Sequence, residues 1–132
     1  MHKRLIYTAL FLLLPVMARA DAVDTLLDSY RQAGANDFSL EQGEIRWKQA
    51  NTQADNKDPR SCQDCHGNDL TQVGKHATTG KQIDPMAPSV NPERLADGAK
   101  IEKWFKRNCK WTLGRECSPQ EKGDFLLYLR QQ

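Results

Sequence analysis

Two cysteines three apart, with a histidine directly behind the second, form the densest chemistry in the chain: Cys62-Gln63-Asp64-Cys65-His66. On one helical turn, residues at this spacing lie on the same side. Both thiols can then reach a single planar partner while the following imidazole turns toward its centre. This is the attachment pattern of a c-type haem, with two thioethers to the porphyrin and a proximal nitrogen on iron. Three other uses of the same residue types compete. A zinc site needs a second close ligand pair, and Cys109 and Cys117 are too widely spaced to supply one. A thioredoxin-like pair needs βαβ surroundings, and no strand is legible. Two ordinary disulfides are the third alternative, though cysteines three apart seldom bridge each other in a structural role. One covalent haem c, bound through Cys62 and Cys65 with His66 as proximal iron ligand, is the expectation.

Such a site leaves a sixth position on the iron. Methionine is the usual occupant in an electron carrier. Beyond residue 20 the only one is Met86, in Asp84-Pro85-Met86-Ala87-Pro88. It follows His66 closely in a proline-flanked loop, and reads better as a wall residue than as a ligand. His76, flanked by Lys75 and Thr78-Thr79, reads as a surface histidine. Asn108, directly before Cys109, reads on the residues alone as a helix C-cap. Cys109 and Cys117 are the thiols left over and are expected to pair. A bridge closing so short a loop stabilises by about 2–3 kcal/mol on chain-entropy grounds, and would fix the loop beside Asn108.

The elements that must hold these residues are short helices. Residues 1–20 read as a secretory signal peptide: Lys3 and Arg4, an apolar run over 5–17, then Ala18-Arg19-Ala20 for cleavage before Asp21. The apolar run is shorter than the roughly 20 residues that span a bilayer, so residues 21–132 are expected to be one exported, periplasmic domain without a membrane span. That domain holds 16 basic and 17 acidic residues, a net charge of −1, which argues against nucleic-acid binding through bulk charge. It has three Val and three Ile, too few for a sheet protein, and a thin apolar core that a cofactor would complete.

Val23, Leu26, Leu27 and Tyr30 mark a first helix ended by Gly34. Ser39-Leu40-Glu41-Gln42 is a capping box for a second helix carrying Gly43, Ile45 and Trp47, with Phe38 as its staple. Residues 51–60 read as a polar loop, and 73–92 as mostly loop. Residues 92–107 are helical in character, and 109–117 a loop around Gly114. Ser118-Pro119-Gln120-Glu121 opens a last helix bearing Phe125, Leu126, Tyr128 and Leu129. The fold class is all-α, four or five short helices. Gly43 and Trp47 are expected to cross the last helix near Phe125 and Tyr128. Lys100, Lys103, Lys106, Arg107 and Lys110 cluster on one helix, either as a solvated back or as a docking patch for an acidic redox partner. Trp104 and Trp111 are expected to pack near the haem.

The run Glu102-Lys103-Trp104-Phe105-Lys106-Arg107-Asn108-Cys109, with Gly114-Arg115-Glu116-Cys117, resembles the sphaeroides-haem-protein group of class I c-type cytochromes. Cys62–Gly67, Thr79-Gly80-Lys81 and Pro85-Met86-Ala87-Pro88-Ser89 agree, so the likeness runs from about Gly43 to the C-terminus. It implies a class I cytochrome c fold and a distal asparagine, here Asn108, that binds oxidised iron and lets go on reduction. It also implies diatomic-gas binding (O₂ or NO) at the opened position, a disulfide at Cys109 and Cys117, and electrons supplied by a dihaem cytochrome c. The competing readings are a simple electron carrier with His66/Met86 ligation and a gas sensor without turnover.

Overall fold

In the computed structural model, residues 21–54 and 56–132 are described; the leader expected over 1–20 lies outside them. Five helices carry the fold: α1 (Ala22–Gln32), α2 (Leu40–Lys48), the single turn α3 (Gln63–His66), α4 (Gly98–Leu113) and α5 (Pro119–Arg130). Two small antiparallel ladders join them: β1 (Asn51–Gln53) with β2 (Asn56–Arg60), and β3 (Gly74–Lys75) with β4 (Gln82–Ile83).

The frame is the crossing of α2 and α5. A Cβ at Gly43 would lie 2.1 Å from the Asp124 carbonyl oxygen and 2.8 Å from Tyr128 Cβ, so the two backbones touch there. Trp47, one turn on, packs its ring 6.3 Å from Phe125 and 6.0 Å from Tyr128. This is the expected crossing. The capping box expected at Ser39 forms only by half. The Ser39 hydroxyl accepts from Gln42 N, but Ser39 N donates to Asp124 Oδ1 at 2.8 Å, across to α5. Asp124 also accepts from Gln120 at 3.0 Å and is 1 % exposed, so this carboxylate is satisfied in the core. Phe38, expected to staple α2, instead lies against Gly123 of α5.

The helix α1 buries Val23, Leu27 and Tyr30 against α5 and α4. The Tyr30 hydroxyl donates to Glu102 of α4, and Lys122 of α5 reaches the other Glu102 oxygen at 2.7 Å. Burial, followed by Glu102, holds the Tyr30 hydroxyl far above its ordinary titration range.

Three expectations are corrected here. The polar stretch 51–60 is a hairpin, held from outside by hydrogen bonds from Gln53 and Arg60 to the Trp111 carbonyl. The helix expected over 92–107 runs Gly98–Leu113. Asn91 and Arg94 side chains both hold the Pro85 carbonyl, at 3.0 Å each, which keeps the chain before Asp97 in turns. Asp97 caps the new start, and Gly114 stops the helix at φ +72°. The first half of the 109–117 loop is therefore helical, and Asn108 is no C-cap.

The last helix starts as expected, with the full Ser118/Glu121 capping box. Arg115 grips Glu121 through two 2.8 Å bonds. This grip, with the Ser118 N–H, lowers the Glu121 carboxyl from 4.5 to about 2. A carboxylate with a depressed folded pKa contributes stability above its unfolded value and loses it as pH falls through the folded one. Thermal midpoints should therefore drop between pH 4.5 and about 2, and Glu121→Gln should flatten that part of the profile. An unchanged slope in Glu121→Gln would assign the acid transition to other groups.

Candidate haem-attachment site

The turn that carries the motif is built by local bonds. Asp64 accepts from Ser61 N at 2.6 Å, capping α3 from within, and Ser61 is buried. Cys65 N and His66 N both donate to the Cys62 carbonyl, at 3.3 and 3.2 Å. Gly67, at φ +75°, ends the turn in a conformation that side chains disfavour. Cys62 and Cys65 therefore sit one turn apart, both as free thiols.

Packing around the turn is close on the far side as well. A Cβ at Gly74 would lie 2.3 Å from the Cys65 carbonyl oxygen, so β3 lies directly against α3. The Cys65 sulfur accepts from Ala77 N at 3.3 Å. Burial, with Asp64 and Cys65 adding, pushes the Cys62 thiol up to about 12. It is a neutral thiol, and the nearby Thr112 hydroxyl of α4 offsets the rise only in small part.

His66 packs its ring 5.3 Å from Trp47. Burial, with the Arg94 charge adding, lowers its imidazole to about 4, so it is neutral over the physiological range. Neutrality is what metal ligation requires. Its Nδ1 is buried with no hydrogen-bond partner. A neutral, half-buried imidazole with an unpartnered Nδ1, beside two free thiols on one turn, fits a covalently attached haem. Cys62, Cys65 and His66 would hold it.

The other candidates lie on two different segments. Met86 N and Ala87 N both donate to the Leu70 carbonyl, at 3.0 and 2.9 Å, which ties Met86 to the segment directly after His66. Asn108 is exposed on α4, one turn before Thr112. Trp104 and Trp111 flank it at helical spacing, making a stripe 104/108/111. The neighbouring turn of α4 meets the motif: Thr112 reaches Cys62, and Trp111 lies 6.4 Å from the His76 ring. His76, expected as a bare surface residue, is half-buried and organised. Its Nδ1 accepts from Thr78 N and Thr79 N at 3.3 and 3.1 Å. Cys109 and Cys117 form the expected disulfide, with their Cα atoms 5.5 Å apart.

Sequence reasoning missed Arg60, Arg94 and Thr112. Each acts through a tertiary contact that no local pattern announces.

These features define a class I cytochrome c fold, in which short helices surround a Cys-x-x-Cys-His turn. A family model described as a domain of unknown function (DUF1924) matches residues 33–129. The cytochrome c-type protein SHP of Cereibacter sphaeroides is 40 % identical over 119 residues, covering 89 % of this chain and 90 % of that protein. The structure of oxidized SHP, described as an oxygen binding cytochrome c, superposes with a TM-score of 0.75 at 38 % identity, over 85 % of this chain and 98 % of that one. Oxidized cytochrome c'' from Methylophilus methylotrophus superposes with a TM-score of 0.71 at 33 % identity, over 84 % and 94 %. By sequence this chain spans about half of that cytochrome c'', 46 % identical over 69 residues. The chain belongs to the DUF1924 family and, within the c-type cytochromes, to the SHP-like group, whose haem is held covalently.

Proposed function

We propose that this protein is an exported monohaem cytochrome that accepts one electron and, once reduced, binds a diatomic gas such as O₂ or NO at a position guarded by Asn108. The haem, when bound, supplies one-electron redox chemistry and a sixth coordination position. The chain has a single Cys-x-x-Cys-His, hence one haem. His66 is its proximal ligand. The Asn108 amide oxygen is a hard, neutral and weak donor, suited to ferric iron and poorly suited to ferrous. The same amide carries an N–H₂ group that would be a hydrogen-bond donor for a diatomic ligand there.

The observation that carries this reading is the position of Asn108. It is exposed on the 104/108/111 stripe of α4, one turn from the residues next to Cys62 and His76. Two relatives add support: one is described as oxygen binding, and the solution structure of the Methylophilus protein as giving insight into haem-ligand detachment (TM-score 0.70). The alternative of an electron carrier with stable His66/Met86 ligation has less support, because the resemblance that covers most of the chain implies Asn108 at the distal position. A gas sensor without turnover uses the same site and differs only in the events after binding.

Asn108→Ala should keep its haem, yet turn the ferric iron from low-spin to high-spin or water-bound by absorption and electron paramagnetic resonance. Reduced wild-type protein should bind CO. An unchanged ferric spectrum in Asn108→Ala removes Asn108 from the site. A ferrous form that refuses CO, with a methionine-to-iron charge-transfer band in the ferric form, would establish the Met86 alternative.

Export is supported by the leader pattern and by Asp21, the first residue after the expected cut, which caps α1. Among the described residues no helix is long and apolar enough to cross a membrane. Electron delivery is assigned to the basic side of α4, with an acidic redox protein, a dihaem cytochrome c, as donor. Lys100, Lys103, Lys106, Arg107 and Lys110 are all exposed, and among the described residues none is in an ion pair. At about 100° per residue they share an arc of about 120°, beside the 104/108/111 stripe. Such a patch raises on-rate more than affinity. Reduction by an acidic donor such as flavodoxin semiquinone should slow roughly tenfold or more from low to high salt. Lys103→Glu with Lys106→Glu should abolish most of that dependence; a rate indifferent to both would leave the patch a solvated surface.

A further inference from the structure

We infer that Arg60 is a positioning residue for the distal side of the site: it locks the last turns of α4 to the Cys-x-x-Cys-His segment and so governs how readily Asn108 leaves the iron. The inference rests on the reading of Asn108 as distal ligand.

Arg60 stands two residues before Cys62. Its side chain crosses to α4, where Nη1 donates to the Trp111 carbonyl at 3.2 Å. Its guanidinium also lies 4.6 Å from the centre of the Trp111 ring. The Trp111 carbonyl is among the last four of α4, which have no partner within the helix. A cation there also complements the negative end of the helix dipole. Gln53 of β1 donates to the same carbonyl, and its side chain packs against Gly114, where a Cβ would lie 3.2 Å away. The β1–β2 hairpin thus serves as a clamp on the end of α4.

Trp111 is the right residue to hold. It lies three positions after Asn108, on the same stripe, and its ring is also against His76. Rotation of α4 about its axis would carry Trp111 and Asn108 together. The disulfide restrains the same helix through Cys109, which points into the core on the opposite side from the stripe. A tether on one side leaves a helix free to roll, and a second one at Trp111 removes that freedom. Lysine cannot replace the arginine here, because the planar guanidinium contact with the Trp111 ring is lost.

The test uses the holo-protein and its ferric spectrum. Arg60→Ala, Arg60→Lys and Gln53→Ala are compared with Asp21→Ala, which removes the α1 cap and involves none of Arg60, Gln53 and Trp111. Arg60→Ala should raise the high-spin ferric fraction several-fold, Arg60→Lys nearly as much, and Gln53→Ala less. CO binding to the ferrous form should change less than twofold, since Asn108 has by then let go. Added guanidinium at millimolar concentration should restore part of the low-spin signal in Arg60→Ala and none in Arg60→Lys. Asp21→Ala should lower the thermal midpoint and leave the ferric spectrum alone. A wild-type ferric spectrum in Arg60→Ala, or an equal change in Asp21→Ala, overturns the inference. If Asn108→Ala itself leaves the spectrum unchanged, the reading of Asn108 falls and the inference falls with it; if Asn108→Ala shifts the spectrum and Arg60→Ala does not, only the inference falls.

Discussion

Replacing Cys62 and Cys65 together by alanine is expected to give a protein that retains no colour after acid–acetone extraction and does not unfold cooperatively. The chain has four cysteines, and the Cys109–Cys117 bridge uses two. Cys62 and Cys65 are the free pair, one turn apart, with a neutral half-buried imidazole next to them. In the wild-type holo-protein a thiol reagent under denaturing conditions should find no free thiol, because two are in thioethers and two in the disulfide. The loss of stability has the same origin. The buried set around the motif is small: Trp47, Leu70, Ala87, Phe125, Tyr128 and Leu129, with Met86, Phe105 and Leu113 half-covered. Domains of this size hold by only about 5–15 kcal/mol. Losing a large apolar group from their centre exceeds what the α2–α5 crossing can hold alone. Single replacement of either cysteine should be milder, leaving one thioether and a shifted Soret band. A double variant that stays coloured after extraction would show that attachment occurs elsewhere in the chain.

Local chemistry made the centre of this protein legible. The Cys-x-x-Cys-His turn, the Ser118 capping box and the Gly43/Trp47 crossing each rest on residues close together or on a strict helical period. They appear where the pattern put them. Contacts made at a distance were not legible. The hairpin over 51–60 has no apolar alternation, and a carbonyl on α4 holds it in place. The α4 helix starts at Gly98, after the turns in which Asn91 and Arg94 hold the Pro85 carbonyl, and it ends at Leu113, inside the stretch expected as a loop around Gly114. Asn108 therefore changed from a helix end to a helix face.

The largest stability effect from a single methyl group is expected at Gly43. In Gly43→Ala the new carbon would lie 2.1 Å from a backbone oxygen of Asp124 and 2.8 Å from Tyr128 Cβ. Neither neighbour is the end of a flexible side chain, so relief requires α2 and α5 to separate. Separation pulls Trp47 off Phe125 and Tyr128, and strains the Asp124 bond to Ser39 that starts α2. Alanine gains about 1 kcal/mol of helix propensity over glycine. Overpacking of a rigid contact costs about 3 kcal/mol or more. The net loss of about 2 kcal/mol or more corresponds to a thermal midpoint lower by roughly 10 °C in a domain near 100 residues. Gly123→Ala is the informative comparison. Its Cβ would lie as close to a neighbour, 2.1 Å from Phe38 Cε1, but that neighbour is the tip of a side chain at the rim of the core. Phe38 can rotate away, so Gly123→Ala should lower the midpoint by less than half as much. Because Trp47 also packs on His66, Gly43→Ala should disturb the ferric spectrum as well, and Gly123→Ala should not. Equal midpoints for the two variants would mean that the α2–α5 contact is not the rigid seam on which the site is hung.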